Sequence, residues 1–183
     1  MIWPPLVANW GSTTAERAQP FPCDRLVGSA DHVLFRAVDV RAPVELTFRW
    51  LCQLRAAPYS YDRLDNRGRR SPQTLTPGLE QLAVGQRVQS VFTLVEFEEG
   101  RSLTMSASGM LFAAVACTYR ADPVSAGRSR IVVKVLVAYP SHVWHSRLTR
   151  LVLPPGDLLM MRRQLLNLKG LAERSAREGT AVT

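Results

Sequence analysis

The stretch Asp157-Leu158-Leu159-Met160-Met161-Arg162-Arg163-Gln164-Leu165-Leu166-Asn167-Leu168-Lys169 decides how the chain is read. Leu158, Met161, Leu165 and Leu168, followed by Ala172, recur at three- and four-residue steps. They therefore share one narrow arc of a helix, while Arg163, Arg174 and Arg177 point away from it. Asp157 is well suited to cap the free N–H groups of a first turn. The spacing predicts a helix starting there and running for roughly five to six turns. A stripe of this kind must be buried against another layer, and the preceding segment supplies one. Between Arg130 and Tyr139, Ile131, Val133, Val135 and Val137 alternate with Val132, Lys134, Leu136 and Ala138, the period of a strand. Pro140 to Pro155, with His142, Trp144 and His145, reads as the connection between the two.

Toward the N-terminus the strand pattern continues. Gln86 to Glu98, Ser102 to Ser108 and Leu111 to Ala121 are three strand-like blocks, with Glu99-Gly100 and Gly109 as turns and Asp122-Pro123 with Gly127 in a polar turn before the last strand. Connections this short require antiparallel pairing. Tyr59 to Pro77 mixes Tyr, Asp, Asn, Gly, Arg and Pro without sustained periodicity, as expected of a polar, aromatic loop at the rim of a site. A helix of about four turns is expected from Pro43, with Val44, Phe48, Leu51 and Cys52 inward and Pro58 beyond its end. His32 to Val40 reads as the first strand. The first thirty residues, with Pro4, Pro5, Pro20 and Pro22, form a surface segment pinned by Trp3, Trp10 and Phe21.

The fold class predicted is α+β: a curved antiparallel sheet wrapped around a long C-terminal helix. A length of 183 residues fits one domain, with residues 1–30 as the N-terminal segment and 31–178 as the core. An apolar content of 46% against 21% charged residues is that of a globular chain. No window has the length of apolar sequence that a membrane-spanning helix needs, and the start lacks the pattern of a secretory signal, so a cytoplasmic location is expected. Cys23, Cys52 and Cys117 lack metal-ligand spacing and are expected to be buried free thiols. The net charge of +8 resides in two segments. Arg55 to Arg70 holds five arginines against two aspartates, and Arg147 to Arg177 holds seven cations against two acids. No aromatic interleaving or groove-reading motif accompanies them, so no nucleic acid is expected as a partner.

With the elements in place, the residues carry a resemblance. Trp10-Gly11-Ser12-Thr13, Pro22-Cys23-Asp24, Val38-Asp39-Val40-Arg41-Ala42-Pro43 leading into Phe48-Arg49-Trp50-Leu51, Tyr59-Ser60-Tyr61-Asp62 with Asp65-Asn66, and Met160 to Lys169 together resemble the START and birch-pollen-allergen superfamily (SRPBCC), which has the helix-grip fold and includes polyketide cyclases and lipid-transfer domains. The likeness covers nearly the whole chain and is similar to a bacterial, cyclase/dehydrase-like branch. It implies a cavity between sheet and terminal helix that accepts a hydrophobic small molecule, a lipid, polyketide or similar. It implies no single reaction, because fold does not settle function.

Trp50, Phe92, Met105, Tyr119, Met161, Leu165 and Leu168 are the candidate lining of that cavity, against the alternative that the same stripe is solid core. Tyr59, Tyr61, Asp62, Asp65 and Asn66 are candidates for polar groups at its mouth, against the alternative of an ordered loop whose Asp and Asn side chains cap turns, favoured for Asp65 and Asn66, and whose tyrosines pack on the first helix. His142 and Trp144 complete the ligand-binding set. His142 or His145 with a tyrosine donor would supply the general base of a polyketide cyclase or dehydratase using the same pocket, the alternative function. No catalytic constellation is assigned. No metal and no cofactor are expected: two histidines three residues apart lack a third ligand, and phosphate loops, paired carboxylates and a nucleophile elbow are absent. Arg162, Arg163, Arg174 and Arg177 read as a solvated helix face, with an anionic ligand head, an acidic partner or peripheral membrane contact as the alternatives.

Overall fold

A computed structural model describes residues 3–89, 91–109, 112–140 and 146–180, with backbone only for 112, 113, 146, 147 and 180. Six strands form one antiparallel sheet: β1 (His32–Val40), β2 (Arg87–Val88), β3 (Phe92–Glu98), β4 (Ser102–Gly109), β5 (Phe112–Ser125) and β6 (Arg128–Ala138). Their order across the sheet is β1-β6-β5-β4-β3-β2, so the chain crosses once, from β1 at one edge to β2 at the other, and then returns by meander. The helices are α1 (Pro5–Asn9), α2 (Thr14–Arg17), α3 (Val44–Cys52), α4 (Asp62–Asp65) and α5 (Ser146–Thr180). This is the predicted architecture, with α5 on the inner face of the sheet.

Alternation assigns the two faces. Leu34, Leu94, Leu103, Met105, Cys117, Tyr119, Ile131, Val133 and Val137 point inward and share a core with Trp50 and Leu51 of α3 and with Met161, Leu165, Leu168 and Ala172 of α5. The opposite residues, Phe35, Ala37, Ala116, Val132 and Leu136, make a second core with Phe21, Cys23 and Val27. Residues 21–27 thus cover the outer face, pinned by Phe21, while Trp10 packs against the inner core. The approach of the N-terminal segment to β1 requires Gly11: φ is +75°, and a Cβ there would run into the carbonyl of Ala37. Ala37 in turn donates its N–H to the Trp10 carbonyl at 3.0 Å.

Four expectations need correction. The block Gln86 to Glu98 is two strands, because Gln89 takes a φ of +50° and donates its N–H to Leu54 at 2.9 Å, leaving the ladder. β5 runs on through Asp122 and Pro123 to Ser125, with a register shift between Pro123 and Ser125 absorbing the proline. α3 stops at Cys52 and continues as a 3₁₀ turn, Gln53–Arg55, with Pro43 outside the helix as its N-cap.

The largest correction concerns α5, which begins at Ser146 and passes through Pro154 and Pro155 rather than starting at Asp157. Proline inside a helix removes a backbone donor, so Pro154 leaves the Arg150 carbonyl without its normal partner. His32 Nε2 lies 3.2 Å from that carbonyl. Because a carbonyl only accepts, Nε2 must carry the proton. Arg150 itself bonds Asp31 at 2.7 Å and covers the Tyr139 ring at 5.1 Å. The first turns of α5 are therefore held by the ends of β1 and β6. Asp157, now inside the helix, pairs at 2.7 Å with Arg36 of β1, whose side chain is fully buried.

Candidate functional site

α3 ends beneath the sheet, and the chain then turns back over α5. That turn is built from buried polar groups. Gln164, on α5, donates from Nε2 to the Pro58 carbonyl at 2.6 Å and accepts at Oε1 from the Tyr119 hydroxyl at 2.7 Å. Gln89 donates to the same hydroxyl at 3.2 Å. Next along the same face of the helix, Asn167 donates to the Tyr59 carbonyl at 2.8 Å. These bonds fix Tyr59 in a left-handed conformation, φ +56°, uncommon for a residue with a side chain.

Beyond Tyr59 the loop is closed on itself. Asp62, at the start of α4, accepts from the Ser71 N–H at 2.8 Å and from its hydroxyl at 2.5 Å. Asp65 accepts from the Ser60 hydroxyl, and Asn66 donates to the Arg69 carbonyl at 2.6 Å. Arg174 donates to the Gln73 carbonyl at 2.7 Å, tying the far end of the loop to α5. Between loop and helix lies a cleft of about 860 Å³. Its loop wall carries Tyr59, Tyr61, Asp62, Arg63 and Arg70, and its helix wall carries Arg163, Leu166, Gly170, Leu171 and Arg174. Gly170 widens it, since a Cβ there would meet nothing within 4 Å.

Tyr59 is the side chain that joins the cleft to the core. It lines the cleft, it is 1% exposed, and its ring meets Trp50 edge-on with centroids 6.2 Å apart. Its hydroxyl is buried without a hydrogen-bond partner among the described residues. Burial, with a smaller contribution from the Asp62 carboxylate, pushes it up to about 12, so it stays protonated and able to donate. The Tyr119 hydroxyl is likewise held protonated by burial.

The structure divides the candidate residues in three. Tyr59, Tyr61 and Asp62 come together at the cleft, although both oxygens of Asp62 are engaged by Ser71. Trp50, Met105, Tyr119, Met161, Leu165 and Leu168 sit together in the inner core, with Phe92 packed at its margin. His142 and Trp144, with His145, lie outside the described residues. Arg63, Arg70, Asn167 and Gly170 were not singled out for the site by sequence, although Gly170 inside a long helix is a signal of a packing or functional need. Among the described residues no cluster of His, Cys, Asp and Glu could hold a metal ion. No helix of the described residues is long and apolar enough to cross a membrane.

No family model matches the chain, and no curated protein matches it in sequence. Solved structures do match in shape. The di-domain ARO/CYC protein BexL superposes with a TM-score of 0.52 at 12% identity over 78% of this chain and 46% of that one, so the chain spans about half of the di-domain. TTHA0849 from Thermus thermophilus gives a TM-score of 0.49 at 13% identity over 79% of this chain and 99% of that one. The structure of Ara h 8.0201 gives 0.43 at 12% identity, covering 75% and 97%. At these identities the likeness concerns fold, and the fold that the sequence resemblance implied, a helix-grip sheet and terminal helix, is the one the chain adopts.

Proposed function

We propose that the chain binds a hydrophobic small molecule, a lipid, polyketide or similar, where the 59–73 loop, the inner core and α5 meet. The observation that carries this reading is the 860 Å³ cleft between loop and helix, within the range of about 300 to 1,000 Å³ usual for small-molecule sites. Tyr59, Leu166 and Leu171 give it apolar surface, and Tyr59 leads directly to Trp50 and the rest of the core. Met105 and Met161, adaptable side chains, lie in that core and would let a ligand reach the space between sheet and helix by repacking. Leu148, Leu151, Val152 and Leu159 are exposed on one arc of α5, a face suited to peripheral membrane contact by a lipid-handling protein. The three buried free thiols fit a reducing compartment such as the cytoplasm.

Native mass spectrometry of the protein purified from cells, followed by extraction of whatever travels with it, tests the reading. A stoichiometric apolar adduct is expected, and it should be lost in a Gly170→Phe variant, which fills open space in the cleft. An unliganded mass, together with no uptake of added apolar compounds by the unsubstituted protein, would refute it.

One observation favours catalysis in the same pocket. The Tyr59 hydroxyl is buried, without a partner among the described residues and held protonated, so that were a ligand to open the core beside it, it could donate to a carbonyl as a polyketide cyclase or dehydratase would need. Turnover of a polyketone substrate that disappears in Tyr59→Phe while binding persists would identify this role.

A further inference from the structure

The chain's excess charge lies in two segments far apart in sequence, residues 55–70 and 147–177, and folding brings both to the walls of one cleft. Arg63 and Arg70 come from the first, Arg163 and Arg174 from the second. On α5, positions 163, 166, 170 and 174 follow at three- and four-residue steps, so the helix presents the two arginines on a single face with Leu166 and Gly170 between them.

Several cations elsewhere in the fold are matched by acids, although among the described residues no ion pair reaches Arg17, Arg55, Arg87, Arg128 or Arg162. Arg25 pairs with Glu96, Arg49 with Glu80, Arg120 with Asp122, Arg150 with Asp31 and Lys134 with Asp24. Among the described residues, no ion pair reaches Arg63, Arg70, Arg163 or Arg174. The cleft's own carboxylate, Asp62, has both oxygens occupied by Ser71 and bonds none of them. Like charges gathered on facing walls repel one another, although Arg63, Arg70 and Arg163 are exposed and solvent screens part of that repulsion. The two walls are held in register by Gln164, Asn167 and the Arg174 bond to Gln73. Behind this wall Tyr59, which lines the cleft, has a buried hydroxyl with no hydrogen-bond partner among the described residues.

We propose that this cleft recognises the oxyanion head, carboxylate or phosphate, of an amphiphilic ligand, with guanidinium groups of both walls gripping the head and the apolar part lying against Leu166, Leu171 and Tyr59. Guanidinium forks match the geometry of such anions, and charge-assisted hydrogen bonds are the strong ones. The inference rests on the small-molecule reading above and names the chemistry of its ligand.

Isothermal titration at low ionic strength with decanol, decanoate and decyl phosphate, all below their micellar concentrations, separates the two claims. Decanoate and decyl phosphate should bind at least tenfold more tightly than decanol, and the advantage should shrink as salt is raised. In Arg63→Gln/Arg163→Gln, which removes two exposed side chains without ion pairs, binding of decyl phosphate should weaken about ten- to a hundredfold while decanol is unchanged. Circular dichroism of the variant checks that its fold is intact. Inorganic phosphate tells the source: if it displaces decyl phosphate at comparable concentration, the anion alone is the ligand, and if it does not, the head of an amphiphile is. Equal binding of decanol and decyl phosphate, or an unchanged affinity in the double variant, overturns the oxyanion inference and leaves small-molecule binding standing. Failure of all three probes, decanol included, refutes both.

Discussion

Replacing Asp157 by leucine would strand a guanidinium in the core. The Arg36 side chain has no exposed surface, and its bonds are to Asp157 at 2.7 Å, the Phe35 carbonyl at 2.7 Å and the Ala8 carbonyl at 3.1 Å, while its Nε has no partner. Two unit charges about 4 Å apart attract by roughly 4 kcal/mol at an effective dielectric constant near 20. Desolvation takes back several kcal/mol per ion. Burial raises the Asp157 carboxyl against the pull of Arg36 and lowers the Arg36 guanidinium against the pull of Asp157, so desolvation is the larger influence on both. The pair should then be worth little net, yet either half alone should be expensive. Asp157→Leu is expected to cost about 3 to 5 kcal/mol. In a urea titration with a slope near 2 kcal/mol/M this lowers the midpoint by about 1.5 to 2.5 M. Arg36→Met/Asp157→Leu should recover most of it, ending about 1 to 2 kcal/mol below the starting protein because the two carbonyls lose their donor. Arg36→Met alone should become milder as pH falls, since a carboxyl already raised by burial is the easier to protonate. A double variant as unstable as the sum of the singles, or an Asp157→Leu cost below about 1 kcal/mol, would refute the reasoning.

Tyr119→Phe should destabilise by about 1 to 3 kcal/mol without a change in volume, because Gln164 Oε1 and Gln89 Nε2 lose a buried partner; chemical denaturation measures it, and a loss under about 0.5 kcal/mol would show that water replaces the hydroxyl. His32 is kept below its usual range, chiefly by burial, so the folded state binds fewer protons than the unfolded one. Its stabilising contribution is present above the unfolded value near 6.5 and is lost as pH falls below it, at no more than about 1.4 kcal/mol per pH unit. His32→Gln should flatten the stability profile between about pH 5 and 7, and an unaltered slope would reject the assignment. Gly170→Ala should stabilise α5 by about 1 kcal/mol in thermal melts, as nothing lies within 4 Å of the new Cβ; a lower melting temperature would mean the cleft is narrower than described.

Those elements whose stability is local were legible from sequence. The period-two run in β6 and the stripe from Met161 to Ala172 each need only a buried face, and both are found as read. Where the reading failed, the deciding partner was distant. Pro154 and Pro155 argue against a helix by every local rule, and what compensates is a histidine 118 residues earlier. Asp157 looks like a cap until Arg36, 121 residues away, is seen to claim it. Gln89 breaks a good strand pattern because Leu54 takes its N–H. Each is a case of tertiary contact outweighing a propensity of a few kcal/mol.

The site divides on the same principle. Tyr59, Tyr61 and Asp62 were recognisable because a polar, aromatic, aperiodic loop after a short helix has few places to go except the rim of a cavity. The arginines of α5 face outward by helical geometry, and outward reads as solvated. The second wall was missing from that reading: Gln164 and Asn167 dock the 58–59 turn on the helix, and Arg174 holds Gln73, so a face exposed in the isolated element becomes one side of a cleft. Composition carried a trace of this. Two remote segments hold all of the net charge, and the fold places arginines from each on the walls of one cleft. Gly170 points the same way, a residue costing about 1 kcal/mol in mid-helix at the position where the open space lies. α5 does carry acids, but Asp157 and Glu173 pair with Arg36 and Lys169 rather than with the arginines at the cleft, so this helix keeps a basic groove with glycine where alanine would stabilise it, the combination expected where selection acts on what binds rather than on how firmly the chain folds.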